Sequence, residues 1–306
     1  MKKICGVIVS FMVMCVMVST TPAQAEGPAF WRIKTPTNTI YIFGSVHVLE
    51  EKLKFTKQVK DAFKESENLV VEVDVRKIGP TQTNDNFYNR GGMMNLGWSL
   101  PDVLTPDLYY DVQVKASEYG LNMTMLNAMA PWAVADLLAR LPSPAQMYQK
   151  NKISFKKGVD HHFITMAQRH GKPILELERF EDQYRINTTI PVAVQTDMIK
   201  SALHKINKPY LYKDHFKDMV DAWRTGDIEA LEMRLWGSLK YEGKDLSEAI
   251  YNRMFVERNK NWIPVIESYL GQDEDYFIVA GAGHFVGPDG VITLLALRGH
   301  PIERID

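Results

Sequence analysis

The run Tyr276-Phe277-Ile278-Val279-Ala280-Gly281-Ala282-Gly283-His284 constrains this chain more than any other stretch. Its uninterrupted apolar residues predict a strand buried on both faces, as in a parallel sheet covered by helices. The strand then runs into small residues and delivers His284 just past its carboxyl end, where open α/β sheets bind their ligands. Gly281 and Gly283 lack a Cβ, so backbone or ligand can approach closely, and positive φ costs them little. Val291 to Leu297 predicts a helix that Gly299 stops. Near the other end, Thr39-Ile40-Tyr41-Ile42-Phe43-Gly44-Ser45-Val46-His47 repeats the pattern. Two Gly-x-x-His turns, each closing an apolar strand, are the central clue.

The beginning of the chain is read separately. Lys2-Lys3, an apolar core from Ile4 to Val18, and Ala23-Gln24-Ala25 have the layout of a secretory signal peptide with an A-x-A cleavage site. The apolar core is short for a membrane span. Residues 1–25 are therefore expected to be removed, leaving a single domain over 26–306. Cys5 and Cys15 both lie in the leader, so the mature chain has no cysteine and no disulfide framework, thiolate nucleophile or cysteine metal site. The formal net charge of −1 becomes −3 when Lys2 and Lys3 leave, which gives no polybasic field for nucleic acid. The expected location is periplasmic or extracellular.

In chain order, Phe30 to Ile33 and Thr39 to Phe43 predict a hairpin around Thr35-Pro36-Thr37-Asn38. Phe55 to Glu67 predicts a helix, with Phe55, Val59 and Phe63 on one face. Asn68 to Val75 predicts a second buried strand with Glu72 and Asp74 on the same face. Residues 79–96, rich in Gly, Asn and Thr, read as a mobile loop. From Leu100 to Arg140 the pattern is helical: Thr105-Pro106 opens one helix, Gly120 ends it, and Pro131-Trp132 opens the next. After a loop over 141–153, Asp160 is expected to cap a helix that Gly171 closes, and 173–178 a short strand. Helices are expected from Phe180 to Tyr212 and from Lys213 to Leu235, the second broken at Gly226-Asp227. A long helix from Leu246 to Leu270, kinked at Pro264, is expected to lead into the organising strand. The fold class is α/β (α+β): a central mixed sheet bearing two Gly-x-x-His turns, with a helical insertion over about 100–270.

If the two histidine-bearing strands are neighbours, His47 and His284 converge. Two neutral imidazoles, the Glu72 carboxylate and a water have the composition of a catalytic divalent-metal site. The plainer alternative is that each histidine is a turn residue satisfied by backbone. Glu72, in the run Leu69-Val70-Val71-Glu72-Val73, is costly to bury unpaired, so it is either placed for function or exposed on an edge strand. Asp74 reads as a supporting or solvent-facing carboxylate. Met254, Arg258 and Trp262 share a helical stripe, so Arg258 either pairs with Glu72 or Asp74, binds a developing oxyanion, or snorkels at the stripe's edge. His161 and His162 are too far apart around a helix to face one ion together. No His-Glu-x-x-His, Gly-x-Ser-x-Gly, P-loop or dinucleotide fingerprint is present.

On these motifs the chain resembles the TraB/GumN family, which includes the Tiki-type metalloproteases. Phe43-Gly44-Ser45-Val46-His47 is similar to the family's first motif, usually Gly-Thr-x-His, with Ser45 a mild departure. Val71-Glu72-Val73-Asp74 is similar to its strand-borne glutamate, and Gly281 to Gly287 to its second Gly-x-x-His motif. Ala130-Pro131-Trp132, Gly158-Val159-Asp160, Leu177-Glu178 with Gln183, Trp223 to Asp227, and Arg258-Asn259 with Trp262 match further positions. His300 follows Gly299 where the family usually has an aromatic residue. The resemblance implies a core like the erythromycin-esterase and ChaN-like folds and a divalent-metal-dependent hydrolase, most simply a peptidase. His47, Glu72 and His284 would hold the metal, zinc, manganese, cobalt or iron, with Glu72 as third ligand or general base. Arg258 would steady an oxyanion or the carboxylate, Asn259 would bond substrate or Arg258, and Glu178 and Gln183 would be structural or would support the ligands from behind. The alternative function is a peptide-, haem- or iron-binding protein without turnover.

Overall fold

The computed structural model describes residues 27–51, 53–74, 76, 92–95, 97–141, 154–209, 215–237 and 244–305. The expected leader and the 79–96 loop, apart from residues 92–95, lie outside the described residues. Six strands form one mixed sheet: β1 (Phe30–Lys34), β2 (Thr39–Ser45), β3 (Asn68–Val71), β4 (Ile174–Glu176), β5 (Tyr276–Gly281) and β6 (Ile302–Arg304). Their order across the sheet is β4-β3-β5-β2-β1-β6. β1 and β2 make the expected antiparallel hairpin, Phe30 opposite Phe43, and β6 adds antiparallel to β1. β2 and β3 flank β5 and run parallel to it, and β4 runs parallel to β3. The organising strand is therefore central, and Tyr276 to Ala280 are all buried. Ser45 is in register with Gly281, so β2 and β5 finish level, while Val71 pairs with Val279 and β3 stops two residues short of them at the same edge of the sheet.

Helices cover both faces. On one, Phe43, Leu69 and Phe277 pack against Phe63 of the Lys57–Glu65 helix, Phe163 of the Val159–His170 helix, and Trp223. On the other, Ile42, Val70 and Ile278 pack against Trp262 and Ile266 of the Glu257–Leu270 helix and Leu295 of the Val291–Leu297 helix. A separate core joins Val112, Leu126 and Leu138 to Ile199 and Leu203 of the Val192–Asn207 helix. It is built wholly of helices, as the middle of the sequence suggests.

Local signals act largely as read. Thr105 caps the Pro106–Tyr119 helix, accepting from Leu108 N–H, and Gly120 ends it in the left-handed region at φ 66°. Gly171 does the same at φ 67°. Five expectations change. The helix expected from Phe180 to Tyr212 is split in two, Phe180–Thr188 and Val192–Asn207, around Pro191. β3 stops at Val71, so Glu72 and Asp74 lie beyond the strand rather than on one face of it. Gly158, not Asp160, is the cap of the Val159–His170 helix, and Asp160 bonds elsewhere. The long helix runs through Pro264 and is interrupted earlier, by a π segment at Asn252–Val256. Such one-turn insertions occur often at functional sites. Neither Gly281 nor Gly283 uses positive φ; each is small because side chains press against it.

Candidate functional site

Four parallel strands each deliver one side chain just past their carboxyl ends: His47 after β2, Glu72 after β3, Glu178 after β4 and His284 after β5. The β3 and β4 extensions stay locked beyond the strands, with Leu177 N–H donating to Val71 O and Glu178 N–H to Glu72 O. The four converge because the strands run parallel, which places their carboxyl ends at one edge of the sheet.

Gly281 is the meeting point. A Cβ there would sit 3.1 Å from Glu72 Oε1, 3.3 Å from His47 Nε2 and 3.6 Å from His284 Cδ2. The Gly281 N–H donates to Glu72 Oε1 at 2.5 Å, and His47 Nε2 lies 3.9 Å from the same oxygen. Gly283 is small for another reason: a Cβ would come within 2.9 Å of Phe255. At Gly44 a Cβ would lie 3.1 Å from that of Ala282, so the two glycine turns touch.

Arg258 is buried at the centre rather than snorkelling at an edge. Its Nη2 donates to Glu72 Oε2 at 2.7 Å and to Glu178 Oε1 at 2.6 Å, and its Nε reaches both Glu178 oxygens at 3.0 Å. Its Nη1 donates to Met254 O and to His284 Nε2, the latter at 2.9 Å. The guanidinium also lies over the Trp262 ring. Glu178, which the sequence reading leaves as structural or as a support behind the ligands, is thus the main partner of Arg258, and it accepts from Trp262 Nε1 and Gln183 Nε2 as well. The signal for it is faint, because β4 has only three half-buried residues. Asp74 is buried with its carboxylate on Arg76, and Arg258 takes Glu72 and Glu178.

Each imidazole has its outer nitrogen engaged. His284 Nδ1 faces Asn259 Oδ1 at 2.6 Å, and Asn259 Nδ2 is anchored on Asp289 O. Asn259 therefore orients His284 and does not bond Arg258. His284 is 3% exposed, its ring between Phe255 and Trp262 at 4.9 and 4.3 Å. His47 Nδ1 faces Asp160 Oδ2 at 2.8 Å, and Ser45 Oγ donates to Asp160 Oδ1. About half of the His47 side chain, 53%, is open to solvent, so the site is reached from its side. His162, by contrast, packs on Phe55 and Phe163.

Electrostatics separate the two histidines. The Asp160 carboxylate raises His47 to about 9. Burial pushes His284 down to about 3, so it is neutral at pH 7. Burial alone would raise Glu72, but the charges facing it, at His284 when protonated, Arg258 and His47, outweigh burial and hold it well below the usual carboxylate range.

The residue types suit a divalent ion. Each imidazole ties its Nδ1 to an outer oxygen and turns Nε2 inward, the arrangement in which ligating histidines are oriented, and a carboxylate stands between them. In this structure the Nε2 lone pair of His284 accepts from Arg258. Among the described residues no group of three or more His, Asp or Glu side chains is set out to hold a metal. Loading would require Arg258 to release His284 and His47 to lose its Nε2 proton.

A helix-covered mixed sheet with two histidines, two glutamates and a buried arginine at the exits of its parallel strands defines a class of α/β protein. The model of the TraB/PrgY/gumN family matches residues 29–304, and the chain belongs to that family. It is 21% identical to an uncharacterized protein of Treponema pallidum (strain Nichols), over 88% of this chain and 80% of that one. It is 20% identical to the Escherichia coli (strain K12) uncharacterized protein YbaP, over 83% of this chain and 87% of that one. Two relatives are named metalloprotease TIKI homologs. That of Amphimedon queenslandica is 22% identical over 90% of this chain, and that of Nematostella vectensis 19% over 48%. The matches span 61% and 35% of those longer proteins. No solved structure matches. Among the described residues no helix is long and apolar enough to cross a membrane.

Proposed function

We propose that this chain is an exported hydrolase of peptide bonds, working with a divalent metal ion held by His47, Glu72 and His284. The observation that carries the reading is the convergence of His47 Nε2, Glu72 Oε1 and the His284 ring on Gly281, each imidazole braced at Nδ1. The TIKI homologs lend the peptide-cleaving part. Bound there, a divalent ion would bring the pKa of a water towards neutrality and polarise a carbonyl.

The chain's own residues supply the rest. Glu72, held by Gly281 N–H at Oε1 and by Arg258 Nη2 at Oε2, stays ionised at neutral pH and serves as third ligand rather than as proton acceptor, because its carboxylate lies well below the usual range. Arg258, released from His284 Nε2, turns Nη1 towards negative charge developing on the carbonyl oxygen, while Glu178 keeps its Nε end fixed. Phe255 and Trp262 keep water off both faces of His284.

The test is metal analysis of the chain from residue 26 onwards, purified without a metal-binding tag, beside the His47→Ala/His284→Ala double variant. About one equivalent of divalent metal in the parent and none in a folded variant supports the reading, and peptide-library cleavage then follows. No metal in the parent after reconstitution rejects it in favour of a binding protein without turnover, for which the Arg258–His284 contact is the favouring observation. Export is tested by the mass of the protein recovered outside the cytoplasm, which should begin at Glu26.

A further inference from the structure

Asp160 stands in the first turn of the Val159–His170 helix, on the sheet face opposite Arg258 and Trp262. Its two oxygens are both committed to the first Gly-x-x-His turn. Oδ2 accepts from His47 Nδ1 at 2.8 Å, and Oδ1 accepts from Ser45 Oγ at 2.9 Å. A backbone bond from Val159 N–H to Val46 O, 3.1 Å, docks the same helix start on the same turn. Three consecutive residues of the turn are thus fixed to two consecutive residues of one helix.

We propose that Asp160, itself held by Ser45, is the positioning residue for His47, fixing the ring with Nδ1–H outward and Nε2 turned to Gly281 and Glu72. The need for it follows from exposure. His284 is wedged between two aromatic rings and has no freedom to rotate. His47 is half open to solvent, and its ring would otherwise turn about two bonds with nothing to stop it. Imidazole orientation by an outer carboxylate is how such rings are kept aimed, and losing the partner typically costs about 10- to 100-fold in metal affinity or activity. Ser45 supplies a hydroxyl donor that sets the plane of the Asp160 carboxylate. A threonine at 45 supplies the same donor, whereas alanine supplies none.

This rests on the site reading above, so the test carries a readout that does not need turnover or metal. In the metal-free parent, proton NMR should show a low-field Nδ1–H resonance for His47, absent in His47→Ala. It should move or vanish in Asp160→Asn and Ser45→Ala and return in Ser45→Thr. Zn²⁺ and Mn²⁺, each titrated alone, should bind about 10- to 100-fold more weakly to Asp160→Asn and Ser45→Ala than to the parent, with Ser45→Thr recovering most of the loss. An unchanged resonance and unchanged metal affinity in folded Asp160→Asn and Ser45→Ala overturn the proposal. If the parent binds neither ion, the metal reading falls by itself, and the positioning role is decided by the resonance: lost in both variants, it stands; retained, it fails.

Discussion

At the scale of single residues, the absence of one methyl group does more than any functional side chain to shape this site. Gly281 has an ordinary φ of −52°, so alanine fits its backbone. Its Cβ would nonetheless stand 3.1 Å from Glu72 Oε1 and 3.3 Å from His47 Nε2. Gly281→Ala should therefore fold, lose roughly 1–3 kcal/mol to crowding, and lose metal binding and hydrolysis far more than stability. Retained metal affinity in a folded variant would mean that the three groups do not act at that point. The two histidines give a second prediction. His284 has a folded pKa of about 3, below its unfolded value of about 6.5. The unfolded chain thus takes the proton first, and stability drains as pH falls below about 6.5. His47 is raised to about 9, so its contribution is complete below about pH 6.5 and is lost as pH rises through 9. Tm measured from pH 5 to 10 should fall on both sides. His284→Gln should flatten the slope from pH 7 to 5, and His47→Gln the slope from pH 7 to 9.5; limbs that persist in the variants would assign them elsewhere.

At the scale of elements, the exits of four parallel strands do the assembling, and they differ in how well the sequence announces them. β5 and β2 are continuous apolar runs ending in Gly-x-x-His, so strand, turn and histidine are all legible. Glu72 is legible as a misfit in the apolar run from Leu69 to Val73, although the strand ends before it. Glu178 is not, because its three-residue strand leaves no periodicity, and nothing local says that Arg258 will reach it across 80 positions. Asp160 reads from sequence as a helix cap, since an Asp at a helix start is the usual cap signal, and only tertiary docking turns it towards His47. The π segment at Asn252–Val256 has no sequence signature here at all. The energetics also belong to this scale. Arg258 neutralises Glu72 and Glu178 in a buried cluster, each side chain no more than 12% exposed. Removing the guanidinium leaves two buried carboxylates facing each other uncompensated, so Arg258→Met should cost about 3–5 kcal/mol. Arg258→Met/Glu178→Gln should recover part of it, because one stranded charge is removed. A double variant no more stable than the single one, by denaturant unfolding, would show that Glu178 is not the partner that counts.

At the scale of the molecule, the site belongs to the sheet, while a second helical core stands apart from it. The residues that bring His47, Glu72, Glu178 and His284 together pack against Phe43, Phe277 and Trp223 on one face and Trp262 and Ile278 on the other. Leu126, Leu138, Ile199 and Leu203 belong to a cluster that includes none of these. Hydrophobic period suggests this division in part, since the middle of the chain is mostly helical and five of the six strands lie towards its ends; what it cannot assign are β4 and the Val159–His170 and His215–Arg224 helices, which lie in the middle of the sequence yet belong to the sheet and its cover. The division makes a prediction about the whole chain. Leu138 is fully buried among helices, so Leu138→Ala should cost about 2–5 kcal/mol through transfer and cavity terms. Phe277, equally buried on the sheet beneath the strand exits, should cost about 3–5 kcal/mol as Phe277→Ala. Despite similar losses of stability, only Phe277→Ala should weaken metal binding measured well below its unfolding temperature, because only that strand ends at Gly281. Equal weakening by both variants would mean that the helical core shapes the site directly, and that the strand exits alone do not define it.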